Sequence, residues 1–364
     1  MTTKTGYLVI DSDAHVVETE RTWDFMDAED AAFRPKLVQD LHDPTRQHWV
    51  IEGEVRGFRF PTLTEMQQEA RSQRWRNITT PQAARELDDV ALRLEDMDRL
   101  GIDVQVLHHT LWIEQVAKQP EVELAICRGW NRWVGDVSRK SGGRLRWACV
   151  PPYSNLEASL EILEEAKANG AVAVTMRPIE GERTILDQYF YPIYEQAIKL
   201  NMAVAVHIAN ANPGIVNILR TPEDPGSAFG IFRIPTVAAC HALIMSKIPE
   251  RFPELRWGFI EASAGWVPWI ITESRNRYMG AGRRFPDNVL KECNIYVTCQ
   301  TDDDIPYILS CAGDDNILIG TDYGHFDPSS EVDAISVFKG MDGISDESMR
   351  KILSDNPKAL YGIE

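Results

Sequence analysis

Eight short apolar runs recur along this chain: Tyr7–Ile10, Asp103–Leu107, Leu145–Val150, Ala171–Met176, Ala203–His207, Arg256–Ile260, Ile295–Thr298 and Ile317–Gly320. Runs of this length, bounded by turn residues, read as buried strands. Between most of them lie segments of helical hydrophobic period: Ala84–Leu100, Glu121–Lys140, Leu156–Asn169, Tyr191–Leu200, Pro235–Ile248, Trp266–Met279 and Ile305–Ala312. Strands that alternate with helices lie parallel, because a parallel pair needs a crossover connection. Eight such units predict an α/β fold, a (β/α)₈ barrel, as a single domain over residues 1–364. An open doubly wound sheet is the alternative. No glycine-rich phosphate loop follows any of the runs, which weakens it.

One stretch exceeds a minimal barrel. Residues from Glu20 to about Gln82, rich in Trp, Arg, Pro and Gln, separate the first run from the first helix. Thr79-Thr-Pro-Gln82 resembles a helix start. An insertion at this point emerges at the face where barrel strands end. It is expected to be helical and to serve as a lid or an oligomer contact.

Charge and cysteine usage narrow the class of function. Lys and Arg number 38 against 55 Asp and Glu, a net charge of −17. That argues against nucleic acid or an anionic membrane as partner. The interrupted basic run Arg71–Arg76 reads as a solvated helix face. The six cysteines form no CxxC pair and read as reduced core residues. No apolar run approaches the roughly 18 residues of a membrane span, and a cytoplasmic protein is expected.

The polar residues at the strand ends carry the chemistry. The first run continues into Asp11-Ser-Asp13-Ala-His15, then Val-Val-Glu18. Alternate residues of an extended segment share a face, so a carboxylate and an imidazole converge there. His207 ends the fifth run and Asp322 follows the eighth. Singly, each has an ordinary explanation: a strand followed by an Asp turn, a core histidine, a helix cap. Strand ends meet on one face of a barrel, and together Asp13, His15, His207 and Asp322 suit a divalent metal.

These motifs carry a resemblance. Asp11-Ser-Asp-Ala-His15, His207, Phe259-Ile-Glu-Ala-Ser-Ala-Gly-Trp-Val-Pro268, Gly320-Thr-Asp-Tyr-Gly-His325 and Asp355-Asn-Pro-Lys-Ala-Leu-Tyr-Gly362 resemble the amidohydrolase-related family. This is the branch of the amidohydrolase superfamily that includes aminocarboxymuconate-semialdehyde decarboxylase. The resemblance covers nearly the whole chain outside the Glu20–Gln82 insertion. It implies a distorted (β/α)₈ TIM barrel with one divalent metal on Asp13, His15, His207 and Asp322. Zn is the first expectation, with Mn or Fe as alternatives. Two departures stand out. The first pair is His-x-His in many relatives and Asp13-x-His15 here. Many decarboxylases of the family have a histidine where this chain has Glu261, which can act as acid or base, ligate a metal, or brace the barrel.

The resemblance implies a metal-dependent enzyme acting on a small carboxylate. The expected reaction is non-oxidative decarboxylation, in which an acid protonates the carbon that loses CO₂. Hydrolysis of a C–N, C–O or C–C bond is the first alternative, with Asp322 taking a proton from the attacking water. Some relatives, such as the two-subunit 2-aminoisobutyric acid hydroxylase, use Fe or Mn/Fe with oxygen. That third reading, or an accessory subunit of such an enzyme, would need a second metal. Glu18, Glu261 and His241 are the candidate further ligands, although His241 lies in a helical segment where packing is the commoner role. Asp322, Glu261 and His325 are the catalytic candidates. Arg177, after the fourth run, either pairs with a substrate carboxylate or forms a structural ion pair. Trp112 is expected to line the pocket. Of the adjacent His108 and His109, at most one is expected to face it. The family and the insertion suggest a homo-oligomer, or a hetero-oligomer with a homologous subunit.

Overall fold

The computed structural model describes residues 6–42, 46–58, 64–221 and 227–364. All eight runs form strands of one parallel sheet: β1 (Ile10–His15), β2 (Val104–His108), β3 (Leu145–Cys149), β4 (Ala171–Met176), β5 (Ala203–His207), β6 (Trp257–Ile260), β7 (Ile295–Cys299) and β8 (Ile317–Ile319). Each strand pairs with the next in the chain, so the sheet order is the sequence order. The chain is a distorted (β/α)₈ barrel.

The seam between β1 and β8 is the irregular part. It has no regular ladder and is closed just beyond β8. Thr321 and Asp322 donate their amides to Asp13 O at 3.1 and 2.8 Å, and the His15 amide donates to Tyr323 O at 2.9 Å. Gly320 makes this approach feasible. A Cβ there would lie 2.2 Å from Asp13 Cβ and 2.9 Å from its amide nitrogen.

Alternate strand residues divide the core in two. Val204 and Val206 pack outward against the helices. Ala203 and Ala205, with Ile10, Val104, Val106 and Ile260, fill the barrel lumen. Leu360 and Tyr361, from the short helix Asn356–Tyr361, belong to this inner cluster. Tyr361 Oη donates to Ser12 O at 2.9 Å.

Three sequence expectations need correction. The first strand begins at Ile10, the last residue of the run Tyr7–Ile10, and runs through the polar motif to His15. The Glu20–Gln82 insertion is mixed. It has 3₁₀ turns at Glu20–Phe25 and Ala28–Phe33, a helix at Glu65–Ser72, and a three-stranded antiparallel sheet of Lys36–Gln39, Gln47–Ile51 and Glu54–Phe58. Its first strand is mostly exposed, so no apolar alternation marks it in the sequence. Arg76 is buried, bonded to Pro328 O at 2.9 Å and Asp302 at 2.7 Å.

The insertion lies across the face where the strands end. Glu52 accepts the amides of Lys118 and Gln119 in the loop after β2. Asn77 donates to Asp333 in the loop after β8 at 2.7 Å.

Candidate metal centre

A β-bulge turns the first strand's polar motif into part of a site. Asp11 pairs with Gln105 and Ala14 with Leu107, so one extra residue is accommodated between them on β1. The bulge breaks the alternation. Asp11 leaves the face of Asp13 and His15 and turns to the helix side. It accepts from Gln105 Nε2 at 2.9 Å and from the Thr321 amide and hydroxyl at 2.9 and 2.6 Å. Gln105 in turn accepts from Arg93 Nε at 2.8 Å, and Arg93 lies over the Tyr323 ring at 3.6 Å. Burial pushes the Asp11 carboxyl up to about 6 against these hydrogen bonds. Asp11 thus braces the seam and is not a ligand.

Inside the barrel, Asp13, His15, His207, Glu261 and Asp322 converge from β1, β5 and the loops after β6 and β8. His15 Nε2 lies 3.4 Å from Asp13 Oδ1, 3.5 Å from Glu261 Oε2 and 3.3 Å from Asp322 Oδ1. His207 Nε2 lies 3.5 Å from Asp13 Oδ1 and 3.2 Å from Glu261 Oε2. All five residues are buried, the most exposed at 4%. Among the described residues, Asp13 Oδ1, His15 Nε2, His207 Nε2 and Asp322 Oδ1 find no hydrogen-bond partner.

Buried lone pairs left unpaired on one point are costly, and a cation resolves the cost. Donors bonded at roughly 2.0–2.2 Å to one ion sit about 3 Å or a little more from one another, which matches these spacings. The outer partners agree. His15 Nδ1 faces His109 O at 2.9 Å, leaving Nε2 for the centre. Ser330 donates to Asp322 Oδ2 at 2.6 Å. The two imidazoles and the carboxylates therefore fit a divalent metal.

Two of the site's residues carry backbone strain. Glu261 and Asp322 both have positive φ, 66° and 50°, an uncommon state for non-glycine residues that recurs at functional sites. The Glu261 amide donates to Thr298 Oγ1 at 2.8 Å. Asp303 clamps the following turn by accepting from Ser263 Oγ and the amides of Ala264 and Gly265.

The electrostatics follow from burial and neighbours. Burial opposes ionisation of Asp13, but His15 and His207 hold its carboxyl well below the usual range. Burial would depress His15, yet Asp13 and Glu261 raise it to about 10. Burial, then the Glu261, Asp327 and Asp13 charges, push Asp322 well above an ordinary aspartate. Burial, then His15, keep His325 well below the usual histidine range.

The remaining sequence candidates separate. His325 joins the centre: Nδ1 is 2.8 Å from Asp322 Oδ1, its ring is stacked on His15 at 3.8 Å, and Nε2 meets Thr110 Oγ1 at 2.8 Å. The donors form two overlapping groups, Asp13–His15–His207–Glu261 and His15–Glu261–Asp322–His325. Glu18 is in neither. Its carboxylate accepts from Trp130 Nε1 at 2.9 Å and the Thr110 amide at 3.1 Å. His241 is not brought in either; it lies on the outer helix Ile234–Met245, near Arg277 and Glu273. Arg177 is engaged by Glu180 through Nε at 2.8 Å and Nη2 at 2.5 Å, while Nη1 holds Glu114 O. The structural ion pair is the arrangement present. Arg177 and Trp112 still line one cleft of about 150 Å³ with Tyr153 and Tyr189.

His108 and His109 both approach His207, with ring centres at 4.8 and 5.8 Å. Strand β2 stops at His108, so the alternation that would separate them no longer applies. Thr110, Ser330 and Asp327 were missed, for they lie in irregular loops; the only hint of Thr110 is its place directly after the paired histidines.

The barrel and its buried carboxylate–imidazole cluster define a metal-dependent (β/α)₈ enzyme. The amidohydrolase family model matches residues 10–363, and the chain belongs to that family. No curated protein matches it in sequence. Among solved structures it is similar to an amidohydrolase of Mycobacterium avium subsp. paratuberculosis K-10, with 19% identity over 98% of both chains and TM-score 0.77. It also resembles Metarhizium anisopliae IDCase, with 16% identity, 98% and 97% coverage and TM-score 0.66. A third is 5-carboxyvanillate decarboxylase of Novosphingobium aromaticivorans DSM 12444, solved with manganese, with 15% identity, 99% and 98% coverage and TM-score 0.65.

Proposed function

We propose that this chain is a non-oxidative decarboxylase of a small organic acid, dependent on a divalent metal held by Asp13, His15, His207 and Asp322, with Glu261 beside them. The observation that carries this reading is the burial of the whole donor set. A substrate carboxylate entering such a site loses its water, and departure as neutral CO₂ relieves that state, whereas hydrolysis needs a supply of water. The bound ion would polarise and orient the substrate's oxygens. Glu261, which stands where many decarboxylases of the family carry a histidine and whose Oε2 lies 3.2 Å from His207 Nε2, is the candidate acid that hands a proton to the carbon. The similar structures that include 5-carboxyvanillate decarboxylase support the same chemistry.

Zn is the first choice of metal; the number of carboxylate oxygens also suits Mn or Fe. One observation favours a second reading, a two-metal oxygenase. The two donor groups share His15 and Glu261, and a carboxylate can bridge two ions. Neither reading gives Arg177 a free fork for substrate, so substrate contact at the cleft falls to Trp112. Assembly through the Glu20–Gln82 insertion is part of the proposal, and sedimentation measures it.

The test loads the protein with Zn²⁺ or Mn²⁺ and screens small aromatic and unsaturated carboxylic acids for CO₂ release under nitrogen. Anaerobic CO₂ release from any of them supports decarboxylation. Hydrolytic products, or turnover that consumes O₂ with two metals per chain, would overturn it.

A further inference from the structure

The hydrogen bonds around Thr110 determine more than its own place. Its hydroxyl has a single hydrogen. The Val16 carbonyl, 2.7 Å away, can only accept, so that hydrogen is committed there. His325 Nε2 sits 2.8 Å from the same hydroxyl oxygen. With the hydroxyl hydrogen spent, Nε2 must be the donor in this contact. In a neutral imidazole the hydrogen on Nε2 leaves the lone pair on Nδ1, and Nδ1 is the atom 2.8 Å from Asp322 Oδ1.

Thr110 is itself held. Its amide donates to Glu18 Oε1 at 3.1 Å, and the Trp130 indole donates to the same oxygen at 2.9 Å. Glu18 is 2% exposed, so this anchor is shielded from exchange with water. The chain of contacts runs from Trp130 through Glu18 and Thr110 to His325.

We propose that Thr110 is a positioning residue of the metal centre, which fixes the hydrogen of His325 on Nε2 and so presents the Nδ1 lone pair as an additional metal donor beside Asp322, His15 and Glu261. Glu18, a candidate ligand by sequence, acts here as the anchor of Thr110. The inference rests on the metal-centre reading.

The experiment measures Mn²⁺ affinity by competition with a chelator, independently of turnover. Thr110→Val keeps the side-chain shape and removes the hydroxyl. Loss of an outer partner of a metal-binding histidine typically costs about 10–100-fold in affinity, and that weakening is expected. Thr110→Ser restores the hydroxyl and is expected within about threefold of the parent. A double-mutant cycle then separates positioning from general loosening. With His325 already changed to Ala, Thr110→Val should alter the Mn²⁺ dissociation constant by less than about twofold. Should Thr110→Val prove too unstable to assay, Thr110→Ala, which also removes the hydroxyl, carries the same comparison in the parent and His325→Ala backgrounds. Equal Mn²⁺ affinity for Thr110→Val and parent overturns the inference, as does an equal loss with and without His325. A parent protein that binds no divalent ion overturns the metal centre itself, which is a different result.

Discussion

Gly320 is where the fold and the centre meet, and Gly320→Ala tests both. The added Cβ would lie 2.2 Å from Asp13 Cβ, 2.9 Å from Asp13 N and 3.0 Å from Asp13 Cα. Carbon atoms in contact sit at roughly 3.5–4.0 Å, so β1 and the post-β8 segment must separate by more than about 1 Å. Two of the three atoms are backbone, and no flexible side chain can absorb the clash. The seam bonds from the Thr321 and Asp322 amides to Asp13 O would stretch or break, at about 1 kcal/mol each. Overpacking adds about 1–3 kcal/mol. A destabilisation of about 3–5 kcal/mol is therefore expected in urea unfolding. Asp13 and Asp322 would also move apart by several times the roughly 0.2 Å tolerance of a metal site, so Mn²⁺ affinity should fall at least about 100-fold by the standard set for displaced catalytic geometry. Gly280→Ala is the control, since nothing lies within 4 Å of its Cβ position. It should leave affinity unchanged. A Gly320→Ala protein with the parent's urea midpoint and Mn²⁺ affinity would refute the account of the seam.

Other outcomes follow from the same geometry. His207→Ala and Asp322→Ala each remove a donor and should weaken metal binding beyond the roughly 10–100-fold worth of an outer partner, with turnover lost in step; full metal content by elemental analysis in both would remove the site. Glu123 concerns pH. Burial, against hydrogen bonds from Ser154 and the charge of Arg177, raises its carboxyl. A raised acid binds its proton more tightly in the folded state. Its stabilising contribution is thus complete below the unfolded value of roughly 4.3 and is lost as pH rises through the folded value. Glu123→Gln lacks that loss, so its stability relative to the parent should climb as pH rises above 4.3; a relative decline in urea midpoints would contradict this.

Much of the architecture was legible because barrel strands are buried on both faces and read as plain apolar runs. Helix Ile305–Ala312 falls where its periodicity placed it. Asp13, His15, His207 and Asp322 were legible as strand-end residues, since topology alone brings such ends together. The bulge at Ser12–Asp13 was not, because it depends on the register against β2 and leaves no mark in composition. The small sheet of the insertion was hard to see because its first strand is mostly exposed and only Trp49 and Ile51 of its second are buried. Arg177 could not be assigned before its partner Glu180 was placed. Thr110 could not be found at all, since its role lies in where one hydroxyl hydrogen goes.

The seam joins the beginning of the fold to its far end. Asp11 and Thr321, which bond across it, are 310 residues apart, and Ser12 and Tyr361 are 349 apart. A growing chain therefore carries β1 with two donors and no opposite wall until β8 has been made. Contacts so distant in sequence close late and slowly. Metal capture then becomes a clock for folding: in refolding, tight ion uptake should lag behind the return of helical signal, because the ion is held only by a barrel that has already met its own beginning.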